Sequence, residues 1–168
     1  MSIFHPTILL HRIYEIEPQR LRQWGVTTLV LDVDNTLTTH DNPVPNQDVL
    51  RWLEQMKALG MKLVILSNNY AQRVEPFAKR LGLDYTARAW KPLSKGFRET
   101  ARRLKVAPAE MAVVGDQIFT DVLGGNLFGA KTILVEPMEP ETGLGFRLKR
   151  RLEKGILRRY RQKRGETK

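Results

Sequence analysis

The sequence predicts an α/β fold: a Rossmann-like parallel sheet with helices on both faces. Apolar, often β-branched runs recur at Thr28 to Leu31, Lys62 to Leu66, Leu83 to Ala87, Met111 to Val114 and Lys131 to Val135. Helical patterns fill the intervals, so strand and helix alternate, as βαβ units require. The main runs also end in polar residues, and an open parallel sheet carries its chemistry at the C-terminal ends of its strands.

At 168 residues the chain fits one domain with a proper core, and 42% apolar content separates it from disordered sequences. It has no cysteine, which excludes disulfides, thiolate metal sites and cysteine nucleophiles. No apolar run approaches the ~18 to 20 residues of a membrane span. Met1 to Pro6 lacks the charged and apolar regions of a secretory signal, and the expected location is cytoplasmic. The net charge of +10 is unevenly spread: Arg147 to Arg164 hold ten Lys or Arg against one Glu, leaving residues 1–146 with +1.

Residues 1–23 are rich in Ile and Leu, and this segment packs either on the sheet or against a partner; Glu17-Pro18 opens a short helix to Trp24. Thr28 to Leu31 is the first buried strand. Asn46 caps a helix whose stripe is Val49, Leu50, Leu53, Met56 and Leu59, ended by Gly60. Lys62 to Leu66 is the next strand, and Ala71 to Leu81 a helix closed by Gly82. A weak strand at Leu83 to Ala87 leads to Trp90-Lys91-Pro92, with Trp90 expected in the core. Ser94 to Lys105 and Ile118 to Phe128 are helical, and Met111 to Val114 and Lys131 to Val135 are strands. Pro137, Pro140, Gly143 and Gly145 make a linker, dividing a domain of residues 1–145 from a basic helix or tail of residues 146–168.

Asp32 and Asp34 are two positions apart, so on an extended chain they share a side, with Cα atoms roughly 6 to 7 Å apart. Two carboxylates that close repel, which favours a shared proton or a divalent cation between them. With oxygen donors and no soft ligand, Mg²⁺ is the fitting ion. Asp34-Asn35-Thr36 equally suits a plain turn, so the remaining strand ends decide. Ser67 and Asn68 can donate to phosphate oxygens, Lys91 brings a compact cation, and Asp116, after a glycine, offers another carboxylate. Asp121 could stand behind the metal or hold Lys91. That all fall at separate strand ends points to one site.

These residues, in this order, resemble the four motifs of the haloacid dehalogenase superfamily of phosphatases: Asp32-x-Asp34-x-Thr36, Ser67, Lys91, and Gly115-Asp116 with Asp121. Asp34-Asn35-Thr36-Leu37, Ser67-Asn68-Asn69, Lys91-Pro92 and Thr120-Asp121-Val122-Leu123-Gly124-Gly125-Asn126 are similar to the YqeG-type subfamily IIIA, itself similar to mitochondrial phosphatidylglycerophosphate phosphatases. The resemblance implies Asp32 as nucleophile, Asp34 as acid and base, and Mg²⁺ held by Asp32, the Asp34 carbonyl and Asp116. It also implies that Thr36, Ser67, Asn68 and Lys91 bind the phosphate.

Only about eight residues separate Thr38 from the helix at Asn46, and Ser67 lies 24 positions before Lys91. This leaves no room for an inserted cap, and a capless site suits a phosphomonoester on a large substrate. Leu152, Ile156, Leu157 and Tyr160 recur at helical spacing among cations, the pattern of a basic amphipathic helix on an anionic phospholipid surface. Nucleic acid would attract the same cations. The expectation is a capless Mg²⁺-dependent phosphatase, peripheral on the inner membrane face, acting on phosphatidylglycerophosphate. The alternatives are a phosphorylated macromolecule as substrate, or a phosphate and Mg²⁺ module without turnover, which would have no use for the acid Asp34.

Overall fold

The computed structural model describes residues 2–40, 42–140 and 143–165. Its strands are β1 (Ile8–Leu10), β2 (Thr28–Leu31), β3 (Lys62–Leu66), β4 (Asp84–Thr86), β5 (Met111–Gly115) and β6 (Lys131–Val135). They form one parallel sheet in the order β1-β6-β5-β2-β3-β4. The helices are α1 (Pro18–Gln23), α2 (Gln47–Ala58), α3 (Ala71–Leu81), α4 (Ser94–Leu104), α5 (Leu123–Phe128) and α6 (Leu144–Arg164).

The fold is the expected α/β sheet with one strand more. β1 is three residues long, and its strand character comes from partnership with β6, in register Ile8 to Ile133 and Leu10 to Val135. Thr7 and Thr132 extend the pairing through bonds of 2.8 and 3.0 Å. The N-terminal segment therefore packs on its own domain.

Both sheet faces are covered, which is why the strands read as continuous apolar runs. Leu29 and Leu31 of β2 join Trp52, Leu53 and Met56 of α2 and Val74 and Phe77 of α3. Val30 faces the other way, toward Phe97 and Ala101 of α4. Truncating the fully buried Phe97 to alanine would cost about 3 to 5 kcal/mol. Local signals set the helix ends: the Asn46 side chain accepts from Val49 N at 2.9 Å, and Gly82 closes α3 at φ 60°. Gly124 lets α5 approach α4, because a Cβ there would sit 2.7 Å from the Phe97 ring.

The basic segment is the long helix α6, and it begins early enough that Gly145, expected in a linker, lies inside it. Ile156 and Leu157 pack with Ile118, Val122 and Leu134, and the buried Tyr160 meets the His5 ring edge-on at 5.6 Å. Buried Glu153 accepts from Ile118 N at 2.8 Å. Part of the expected membrane-facing stripe is thus spent on the domain, while Leu148 and Leu152 stay exposed among cations. Residues 166–168 of the expected tail lie outside the described residues. Among the described residues, no helix is long and apolar enough to cross a membrane.

Candidate active site

β2 lies between β5 and β3, at the point where the strand order reverses. The loops leaving β2 and β5 diverge there and open a crevice at the strand ends. Asp32 follows β2, Ser67 to Asn69 follow β3, Lys91 follows β4, and Asp116 follows β5. Four runs distant in sequence thus deliver polar side chains to one place. A cavity of about 230 Å³ there is lined by Asp32, Asp34, Ser67, Asn68, Lys91 and, among others, Gln117.

Lys91 is the electrostatic centre. Its Nζ donates to Asp32 Oδ1 at 2.7 Å and to Asp121 Oδ1 at 2.6 Å, with the lysine almost wholly buried. Burial disfavours the ammonium, but the charges of Asp121 and Asp32 outweigh it and raise its pKa. Asp32 is pushed up to about 6, first by burial and then by Asp121 and Asp34, against the opposing pull of Lys91. Asp121 is further held by Gln117 N at 3.2 Å and Thr120 Oγ1 at 3.3 Å. Gly115 is required beside it, since a Cβ there would lie 2.2 Å from the Asp121 carboxyl carbon.

Asn68 aligns this lysine: its Oδ1 accepts from Lys91 N at 2.7 Å, and its Nδ2 donates to Lys91 O at 3.0 Å. Expected to bind phosphate, it uses both ends of its amide on the Lys91 backbone. Ser67 is buried, and its Oγ accepts from Asn69 N at 3.1 Å. Thr36 is buried too, but it does not line the cavity, and its hydroxyl has no partner among the described residues. Asp34 points to a different set. Asn69 Nδ2 donates to its Oδ2, Arg73 to its Oδ1 at 3.0 Å, and His40 comes within 3.6 Å.

Carboxylate oxygens of Asp32, Asp116 and Asp121 lie within 4.8 Å of one another. The third carboxylate of the cluster is Asp121, while Asp34 was expected to offer its backbone carbonyl. Asp116 is raised well above the usual carboxylate range by burial and by Asp32, in spite of Arg150. Its Oδ1 is buried with no hydrogen-bond partner among the described residues, and such an orphan is costly unless a cation takes it up. The donor set fits a small, hard divalent cation.

Arg150 of α6 donates to Asp116 O at 2.7 Å, to the Asp116 carboxylate, and to Glu153 Oε2 at 2.8 Å. Neither Arg150 nor Arg73 was expected here, because an arginine on a helix carries no positional signal of its own. Trp90 corrects another expectation. It is 67% exposed and not in the core, on a loop where its φ is 55°. Tyr70 and Leu93 are also exposed on loops at this end of the sheet, and Arg88 stacks over the Tyr70 ring at 4.7 Å.

The family model described as haloacid dehalogenase-like hydrolase matches residues 12–129, a span that holds every residue of the carboxylate and lysine network. The chain belongs to that family. This hydrolase is 37% identical over 162 residues to "Probable phosphatase YqeG" of Bacillus subtilis (strain 168), covering 96% of this chain and 94% of that one. It is 26% identical over 168 residues to "Phosphatidylglycerophosphate phosphatase 1, chloroplastic/mitochondrial" of Arabidopsis thaliana, covering 94% of this chain and 48% of the plant protein. Its fold matches the cobalt-bound deoxy-D-mannose-octulosonate 8-phosphate phosphatase of Haemophilus influenzae with a TM-score of 0.51 and 12% identity, over 82% of this chain and 90% of that one.

Proposed function

We propose that this hydrolase cleaves a phosphomonoester with Mg²⁺ through an aspartyl-phosphate on Asp32, and that its substrate is phosphatidylglycerophosphate at an anionic bilayer. The observation that carries the chemistry is Asp32, held at a strand end by Lys91 at 2.7 Å and clustered with two further carboxylates. The substrate rests on the likeness to the plant phosphatidylglycerophosphate phosphatase, of which this chain spans about half the length.

Asp32 and Asp116, with the Asp34 carbonyl, would hold the Mg²⁺. Bound there, the ion offsets repulsion between an anionic nucleophile and an anionic phosphate. Asp32 attacks phosphorus as the ester P–O bond breaks, and Asp34 gives its proton to the leaving alkoxide. Asp34 then takes a proton from water, which attacks the same phosphorus and releases Asp32. Asn69 and Arg73 aim the Asp34 carboxylate, while Lys91 and Ser67 hold the transferring oxygens. Asp121 fixes Lys91 from behind.

Leu148 and Leu152, exposed among the arginines of α6, support the bilayer, as do Trp90, Tyr70 and Leu93 at the site's end of the sheet. The test is Mg²⁺-dependent phosphate release from phosphatidylglycerophosphate in anionic vesicles, by wild type and Asp32→Asn. Release by wild type alone is expected. Release from an aryl phosphate but not from the lipid would keep the chemistry and redirect it to a phosphorylated macromolecule.

A further inference from the structure

A second, larger concavity of about 1010 Å³ runs between α6 and the β1–β6 edge of the sheet. It starts at Asp116 and Arg150 and continues along α6 to Gln162, about 18 Å of helix. The two cavities share no lining residue but are lined by consecutive ones: Gln117 lines the smaller, and its neighbours Asp116 and Ile118 line the larger. Its floor is apolar, from Leu9 of β1, Leu134 of β6 and Leu157 of α6.

The charges along it do not cancel. The acids are already served: Asp116 and Glu153 by Arg150, and Glu136 by His11 at 3.0 Å and Arg161 at 3.7 Å. Lys154 and Arg158 line the same groove, are exposed, and have no ion-pair partner among the described residues. They stand about one and two turns of helix beyond Arg150, roughly 6 and 12 Å along the axis. A ligand leading out from Asp116 would therefore meet unpaired positive charge first and find apolar surface beneath it. That order of chemistry fits an anionic amphiphile.

We propose that this groove seats the non-reacting part of a phospholipid monoester, with Lys154 and Arg158 on its phosphodiester and Leu9, Leu134 and Leu157 on an acyl chain. The proposal rests on the lipid reading above. It gives a capless enzyme a way to select its substrate: contacts far from the reacting phosphorus supply the enclosure that a lid would otherwise give.

The probe is dihexanoyl-phosphatidylglycerol below its micelle concentration, which carries the phosphodiester and chains but no phosphomonoester to cleave. Its binding to the full chain is read by calorimetry for wild type, the double variant Lys154→Glu/Arg158→Glu, and Leu9→Trp, which fills the floor. Saturable binding by wild type is expected, with affinity at least tenfold weaker in both variants and in wild type for the zwitterionic dihexanoyl-phosphatidylcholine. Lys154 and Arg158 are exposed, so the double variant keeps the wild-type melting temperature. No binding by wild type, or equal binding by a folded double variant, overturns the proposal. Binding that follows the groove without hydrolysis of phosphatidylglycerophosphate would leave the groove standing and sink the substrate. Hydrolysis with the same lipid affinity in all three proteins would do the reverse.

Discussion

Arg150 and Asp116, 34 positions apart in sequence, meet where α6 touches the carboxylate cluster, the guanidinium donating to both the carbonyl and the carboxylate of the aspartate. The Asp116 side chain is wholly buried, and this arginine opposes the rise in pKa that burial and Asp32 impose on it. A metal taken up by the orphaned Oδ1 would share the carboxylate with this arginine on its other oxygen, and two cations beside one carboxylate repel. Arg150 is partly exposed and Gln keeps one donor. Arg150→Gln should therefore lower the stability of the metal-free protein by about 2 kcal/mol, the range for losing a charge-assisted hydrogen bond. The same change should enlarge the stabilisation on adding Mg²⁺ relative to wild type. Thermal unfolding with and without Mg²⁺ reads both, and equal Mg²⁺ shifts would show that Arg150 has no bearing on the metal.

Lys91 separates two carboxylates that would otherwise face each other. Lys91→Met keeps much of the side-chain volume but leaves Asp32 and Asp121 without their shared donor. The expected loss is about 3 to 5 kcal/mol by urea denaturation, with aryl phosphate hydrolysis lowered about a hundredfold or more. A double variant with Asp121→Asn should recover part of the stability and none of the activity. Full retention of activity in Lys91→Met would remove this lysine from the mechanism.

Much of this was legible in the sequence because strand ends announce themselves. Asp32, Ser67 and Asp116 each follow an apolar run, so a buried parallel strand brings them to the crevice. β1 was not legible, since three residues become a strand only by pairing with β6, 125 positions away. Arg73 and Arg150 act from helices, where charge spacing predicts exposure and not the partner. Trp90 illustrates the opposite error. Aromatic residues are mostly buried, but this one stands at φ 55° on the loop between β4 and α4 and is exposed.

The raised pKa of Asp32 fixes a pH dependence. In the unfolded chain it ionises near 3.8 and in the folded protein at about 6. Between these values the folded state holds a proton that the unfolded state has released, so its contribution to stability falls as pH rises through the window and is level above it. The loss from Asp32 alone is about 2 to 3 kcal/mol. Other carboxylates titrate nearby, so the measurement is the difference between wild type and Asp32→Asn, in EDTA, by urea midpoints from pH 4 to 7. The wild type should lose ground against the variant as pH rises, and Mg²⁺ at pH 7 should restore it. A difference that does not change with pH would mean that Asp32 ionises normally.

Trp90 tests the proposed bilayer contact and the surface that would make it. An indole that is 67% exposed, with Tyr70 and Leu93 also exposed at the same end of the sheet, has little to contribute to folding. Trp90→Ala should change stability by no more than about 0.5 kcal/mol. At an anionic bilayer the indole would sit at the headgroup level, as Trp and Tyr do at membrane interfaces. Its removal should weaken sedimentation with phosphatidylglycerol vesicles about tenfold, or ~1.4 kcal/mol. Vesicles should also shift the wild-type tryptophan emission to the blue, and most of that shift should vanish in Trp90→Ala, since Trp52 is already buried and Trp24 is partly buried against the core. If the variant binds vesicles as wild type does, while Leu148→Ser/Leu152→Ser does not, the docking surface is the outer face of α6 and the aromatic loops have another use.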